Sequence, residues 1–288
     1  MFNLCMEANK LYAQLEKDFI TPAMSDEWAT HMTEVQDFIS NNFKERSMGV
    51  VCDFAQEITR VYCAVFPEQS VMNKIIADDT HNALLFVHHP SIWDIRQAPR
   101  VFQQMNRELL GEFKRRRIAI YNLHVPLDNF GPYSTSGTLA EALGIKVGKA
   151  CSPYFGGLAG VIGTTKCKTT AELGILFEKA VGHPVKRYDY GNGKILNGGV
   201  VIVAGGGNEV DYLKEAFDMG VNTVITGISS RNPHSEKEHV YEEQNGINVL
   251  GGTHYSTEKF ACEKMCHYFT KLGLQSEFVA GVPVLEDM

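Results

Sequence analysis

The chain has 288 residues, with 27 Lys and Arg against 34 Asp and Glu and a formal net charge of -7, so no overall field gathers it onto nucleic acid or an anionic membrane. Hydrophobic residues make up 44% and charged residues 21%, which excludes extended disorder and gives room for one large domain or two that share a core. Seven cysteines, an odd number with no C-x-x-C pair, fit reduced thiols better than a disulfide framework or a zinc ribbon. Cys262 and Cys266, four apart on an expected helix, read as small buried hydrophobes. Met1 to Phe19 lacks a signal-peptide core and reads as an amphipathic helix, and no run of about 18 apolar residues occurs, so the expected location is the cytoplasm. The basic run Lys114 to Arg117 sits where cations favour a helix C-terminus.

From about residue 4 to 46, apolar residues recur at helical spacings, Leu11, Leu15 and Phe19 and then Met32, Val35, Phe38 and Ile39, with a break at Thr21-Pro22. Beyond them β-rich runs alternate with helical ones. Ile58 to Val65, Ala83 to Val87 and Ile118 to Asn122 read as strands, and Val71 to Ala77 and Arg100 to Phe113 as helices. A second block follows the Gly-rich stretch Phe155 to Gly163. Its expected helices are Thr170 to Val181, Asn208 to Met219 and Thr257 to Leu272, and its strands Val200 to Ala204, Thr223 to Thr226, Val249 to Leu250 and Glu277 to Ala280. The alternation predicts an α/β fold: two intimately packed α/β lobes with mixed sheets flanked by helices, plus N-terminal helices. The expected divisions are an N-terminal helical extension over 1–47, a first lobe over 48–150, and a second over 151–288 that shares a site with the first.

Three strand ends carry the chemistry. In Phe86-Val87-His88-His89-Pro90 a buried run stops in two imidazoles; adjacent strand residues face opposite ways, but Pro90 ends the pleat and lets both leave together. The same pair also suits a surface or packing role. Ile118 to Asn122 runs out into His124 and Asp128, where loops present catalytic groups, although Asp128-Asn129-Phe130-Gly131 equally reads as a turn. In Gly251-Gly252-Thr253-His254-Tyr255-Ser256-Thr257-Glu258 the His and Glu are four apart on one helix face, while Ser256 or Thr257 can serve as an N-cap with Glu258 complementing the helix dipole.

Recurrence is what joins these signals. Imidazoles with two carboxylates are the donors of zinc, manganese, iron, cobalt or nickel rather than a thiolate site. Five protein ligands exceed the needs of one tetrahedral zinc, and a bridging carboxylate suits two divalent ions with a water between them.

Taken together, His88-His89-Pro90, His124-x-x-x-Asp128 and Gly252-Thr253-His254-Tyr255-x-Thr257-Glu258 resemble the metal signatures of the NIF-three-like dinuclear metal centre family, whose members are known as GTP cyclohydrolase I type II homologues. The resemblance runs from about residue 48 onward and implies that fold. It implies His88, His89, Asp128, His254 and Glu258 as the ligands of two divalent metals, with His124 beside them as the candidate acid or base. Val203-Ala204-Gly205-Gly206-Gly207 and Thr226-Gly227 resemble family turns. The glycine run lacks the Lys-Ser/Thr of a P-loop, so a strand-to-helix turn and a phosphate cradle are its alternative readings. After Thr226-Gly227 the family places an acidic residue and a histidine pair, where this chain reads Ile228 to His234, and no Trp-Asp-Asn entry is recognisable near the N-terminus.

The function implied is a metal-dependent hydrolase acting on a nucleotide-like or other small substrate. The alternative is a non-catalytic metal-handling or scaffold protein. The resemblance also implies a homo-hexamer, with no nucleic-acid or membrane partner.

Overall fold

The computed structural model describes residues 5–206, 209–232 and 235–288. Met1 to Leu4, Gly207, Asn208, Pro233 and His234, named in the sequence reading, lie outside the described residues. The labelled elements are, in chain order, helices α1 (Ala8–Phe19) and α2 (Asn41–Arg46), strands β1 (Gly49–Cys52) and β2 (Arg60–Ala64), α3 (Gln69–Ala77), β3 (Ala83–Val87), α4 (Arg107–Arg116) and β4 (Ile118–Asn122). They continue with α5 (Thr135–Ala142), β5 (Lys146–Tyr154), β6 (Gly157–Thr164), α6 (Thr170–Val181), β7 (Lys186–Tyr188), β8 (Gly199–Val203), α7 (Val210–Asp218), β9 (Thr223–Thr226), α8 (Glu236–Asn245), β10 (Asn248–Gly251), α9 (His254–Lys271) and β11 (Gln275–Phe278). Among the described residues, no helix is long and apolar enough to cross a membrane.

The chain forms two compact units, one of Met1–Leu127 with Cys262–Val282 and the other of Asp128–Ala261 with Pro283–Met288. The chain passes from the first unit to the second at Leu127/Asp128 and returns to the first within α9. The cause is strand pairing: β11, near the C-terminus, hydrogen-bonds in parallel to β2. Pattern along the chain carries no trace of that long-range pairing.

In the first unit the sheet order is β11-β2-β3-β4-β1, parallel except for β1 at its edge. Strands β3 and β4 are buried along their whole length, which is why they read as continuous apolar runs rather than as alternation. The N-terminal residues are part of this core, not an appendage: Trp28, Met32, Val35, Ile39 and Phe43 pack with Tyr62, Leu85, Val87, Ile118 and Ile120.

Residues 28–39 were expected to be helical but form two short 3₁₀ turns, Trp28–His31 and Thr33–Val35. The Gln36 amide donates to the carbonyls of Ala29 and Met32, and Ala29 N donates to Ser47 Oγ, so side chains satisfy groups that a helix would have paired. Similarly, the helix expected from Arg100 begins at Arg107, where Asn106 Oδ1 accepts from Leu109 N as an N-cap.

The second unit holds a six-stranded mixed sheet of order β7-β10-β9-β8-β6-β5, with β8, β9 and β10 parallel. The Gly-rich stretch is largely strand here: β5 and β6 form a hairpin through Phe155 and Gly156, both with positive φ, the backbone of a two-residue turn whose twist matches its strands.

Candidate metal centre

The first unit supplies three imidazoles. Past the end of β3, His88 N and His89 N donate to the carbonyls of Ala64 and Val65 at 3.3 and 2.9 Å, continuing the pairing with the neighbouring strand up to Pro90. The two rings then lie 4.3 Å apart, centroid to centroid. His124, which follows β4, stands 5.2 Å from His88 and 4.7 Å from His89 on the same measure. All three are buried, and one nitrogen of each falls within 4.8 Å of the others.

Partners outside the group fix two of these rings. His88 Nδ1 lies 3.0 Å from the Leu123 carbonyl, which only accepts, so Nδ1 carries the proton and Nε2 keeps its lone pair. His124 Nδ1 lies 2.9 Å from Asp26 Oδ2, with the same consequence. The Asn122 amide donates to the His88 carbonyl and holds the strand end. Aromatic rings pack around the group: Phe66 stacks on His89 at 4.9 Å, and Trp28 meets His89 and His124 in near-perpendicular arrangements, each at 5.3 Å.

The second unit supplies a histidine and two carboxylates. Helix α9 begins at His254, earlier than the sequence pattern indicated, because Thr253 rather than Ser256 or Thr257 forms the cap: Thr253 N donates to Ser256 Oγ and Ser256 N to Thr253 Oγ1. This puts Glu258 one turn above His254, with Nε2 and Oε1 3.1 Å apart. Asp128 Oδ1 accepts from Thr135 Oγ1 at 2.8 Å, and one oxygen of Asp128 comes within 4.8 Å of one of Glu258. Two carboxylates brought together in a buried place repel unless a cation or proton lies between them.

Gly205 explains the glycine run after β8. A Cβ there would stand 2.3 Å from Glu258 Oε1 and 3.1 Å from His254 Nε2, and its φ is +67°. Gly205 N donates to Thr257 Oγ1, and its carbonyl accepts from Gly227 N, so the two glycine turns noted in the sequence close on the opening of α9. Side-chain-free backbone against the His254–Glu258 pair is what this run provides.

Of the six residues singled out from sequence, His88, His89 and His124 come together in one unit, and Asp128, His254 and Glu258 in the other. Sequence reasoning missed Asp26 and Trp28, for which no local signal exists, and Asp287, whose Oδ2 accepts from His254 N at 2.9 Å and so caps α9 from the far end of the chain.

Two mixed α/β units, each presenting buried imidazole or carboxylate donors, carry groups of the kind that could hold a borderline divalent cation. A family model for Duf34/NIF3 (NGG1p interacting factor 3) matches residues 30–284, and the chain belongs to that family. It is 27% identical over 243 residues to a GTP cyclohydrolase 1 type 2 homolog of Archaeoglobus fulgidus, covering 84% of this chain and 89% of that protein. A relative of the same name from Buchnera aphidicola is 26% identical over 227 residues, 77% of this chain and 83% of its own. Among solved structures, protein ybgI, of unknown function, superposes with a TM-score of 0.72 at 19% identity, covering 97% of this chain and all of that one. Reduced HcgD from Methanocaldococcus jannaschii superposes with a TM-score of 0.66 at 19% identity, covering 96% of this chain and 99% of its own. These likenesses establish the fold.

Proposed function

We propose that His88, His89, Asp128, His254 and Glu258 hold a pair of divalent metal ions, and that the protein uses them as a hydrolase on a nucleotide-like or other small substrate. The observation that carries this reading is the buried group of three imidazoles in the first unit. Crowding three ring nitrogens inside an aromatic wall costs desolvation, and a cation is what offsets it. The donor chemistry fits such ions: the Leu123 carbonyl leaves His88 Nε2 with a lone pair, and His254 and Glu258 converge where Gly205 gives them room. Bound divalent ions supply Lewis acidity and lower the pKa of water. The chain's own groups orient the donors, and Trp28 and Phe66 keep solvent from His89. The relatives' name, GTP cyclohydrolase 1 type 2 homolog, favours a nucleotide-like heterocycle as the first substrate to try.

The test pairs metal analysis of protein purified without chelators with turnover assays on nucleotides, esters and phosphodiesters. Metal-dependent turnover that disappears in both His88→Ala and Glu258→Gln supports the hydrolase. Retained metal with no turnover across the panel refutes it and leaves a metal-handling protein.

A further inference from the structure

Resemblance to the family implies His124 as an acid or base beside the metals and assigns the N-terminal segment no role. The geometry joins the two. Asp26 Oδ1 accepts from Glu27 N at 2.8 Å, which pins the carboxylate, and Oδ2 is 2.9 Å from His124 Nδ1 across 98 residues of sequence. The Asp26 side chain is 3% exposed and that of His124 9%. A carboxylate this far from water is stabilised by the imidazole N–H it accepts, and with the proton on Nδ1 the lone pair of the ring lies on Nε2. Two residues on, the Trp28 indole packs edge-to-face with both His124 and His89, so the segment that carries Asp26 also lines the imidazole group. Residues 26 and 28 also lie outside the stretch that matches the family, which begins at residue 30.

We propose that Asp26 is a positioning residue of the metal centre: it holds His124 with Nδ1 protonated, so that Nε2 joins His88 and His89 as the third imidazole ligand from the first unit. The N-terminal segment is then part of the site. This inference rests on the metal-binding reading above but not on any catalytic activity. Metal-ligating histidines usually donate their second nitrogen to a carboxylate or carbonyl, and loss of that partner typically weakens binding about 10- to 100-fold. His88, with Leu123 O, already follows that pattern in the same group.

The experiment strips the protein with a chelator and titrates Co(II), reading affinity and the visible d–d absorption of wild type, Asp26→Asn, Asp26→Glu, His124→Ala and the Asp26→Asn/His124→Ala double variant. Asp26→Asn is close to isosteric and is expected to weaken Co(II) binding about 10- to 100-fold and change the spectrum. Asp26→Glu should recover part of the loss, and Asp26→Asn should cost nothing further once His124 is alanine. A purely structural Asp26 would lower Tm while leaving Kd and spectrum unmoved, or would weaken binding equally with and without His124; either result overturns the proposal while leaving the metal centre standing. Wild type that takes up no Co(II) would instead bring down the metal-binding reading and this inference with it. Long-range 1H–15N spectra of the metal-free wild type need no variant: an Nδ1–H tautomer at His124 is expected, and an Nε2–H tautomer overturns the assignment.

Discussion

Replacing Gly205 with alanine separates backbone strain from the donor geometry. The added Cβ would sit 2.3 Å from Glu258 Oε1, with His254 Nε2 at 3.1 Å and His254 Cδ2 at 3.2 Å. Ordinary van der Waals contact needs the carboxylate oxygen to retreat by about 1 Å, and a misplacement of that size is enough to lose on the order of 100-fold where geometry is demanding. The positive φ adds about 1 kcal/mol of backbone cost. Gly220 is the control: its φ is +79°, and a Cβ there meets nothing within 4 Å. Urea denaturation of the metal-free proteins should show Gly220→Ala losing about 1 kcal/mol and Gly205→Ala at least as much, since its Cβ also displaces Glu258. In Co(II) or Zn(II) titration only Gly205→Ala should weaken, by roughly 100-fold. Equal metal affinity for the two variants would refute the argument that Gly205 exists to make room for His254 and Glu258.

Further expectations concern groups other than the donors themselves. Asp287→Ala removes the acceptor of His254 N and should cost about 1 kcal/mol in chemical denaturation; an unchanged midpoint would mean that α9 is not capped from the C-terminus. His239 is buried against Tyr188 and bonded to Tyr190 Oη and the Ser229 carbonyl. Burial holds its pKa below the ordinary imidazole value. The unfolded chain therefore takes up the proton first, and stability should fall as pH drops below about 6.5; His239→Gln should flatten that slope, and an unchanged slope would count against the assignment. The neighbouring Cys63 thiol holds the pKa of Cys266 down, whereas burial raises that of Cys63 itself. Iodoacetamide mapping by mass spectrometry should find Cys266 modified at lower pH than Cys63, and the reverse order would contradict the pairing.

How much of this was legible in the sequence depended on the range of the interaction. The buried strands Ala83–Val87 and Ile118–Asn122 were visible because burial on both faces leaves uninterrupted apolar runs. The donors were visible because three strand ends repeat the same residue types. The glycine run, open between a turn and a phosphate cradle, is decided by what its backbone approaches, which only the fold reveals. The β5–β6 hairpin was hidden because its strands carry glycines and lysines in place of alternating hydrophobics. Residues 28–39 had helical spacing, but packing on the sheet and the Gln36 amide bonds select short turns instead. Asp26 and Asp287 could not be found at all: each meets its histidine only through the fold, and nothing adjacent in sequence marks either.

The most direct measurement is the metal content of protein purified without chelators, by inductively coupled plasma mass spectrometry, for wild type and for a variant carrying His88→Ala and Glu258→Gln together. About two equivalents of a divalent transition ion per wild-type chain are expected, with loss of both in a variant that still folds. A folded wild type without bound metal, or a variant that keeps its full complement, would contradict it.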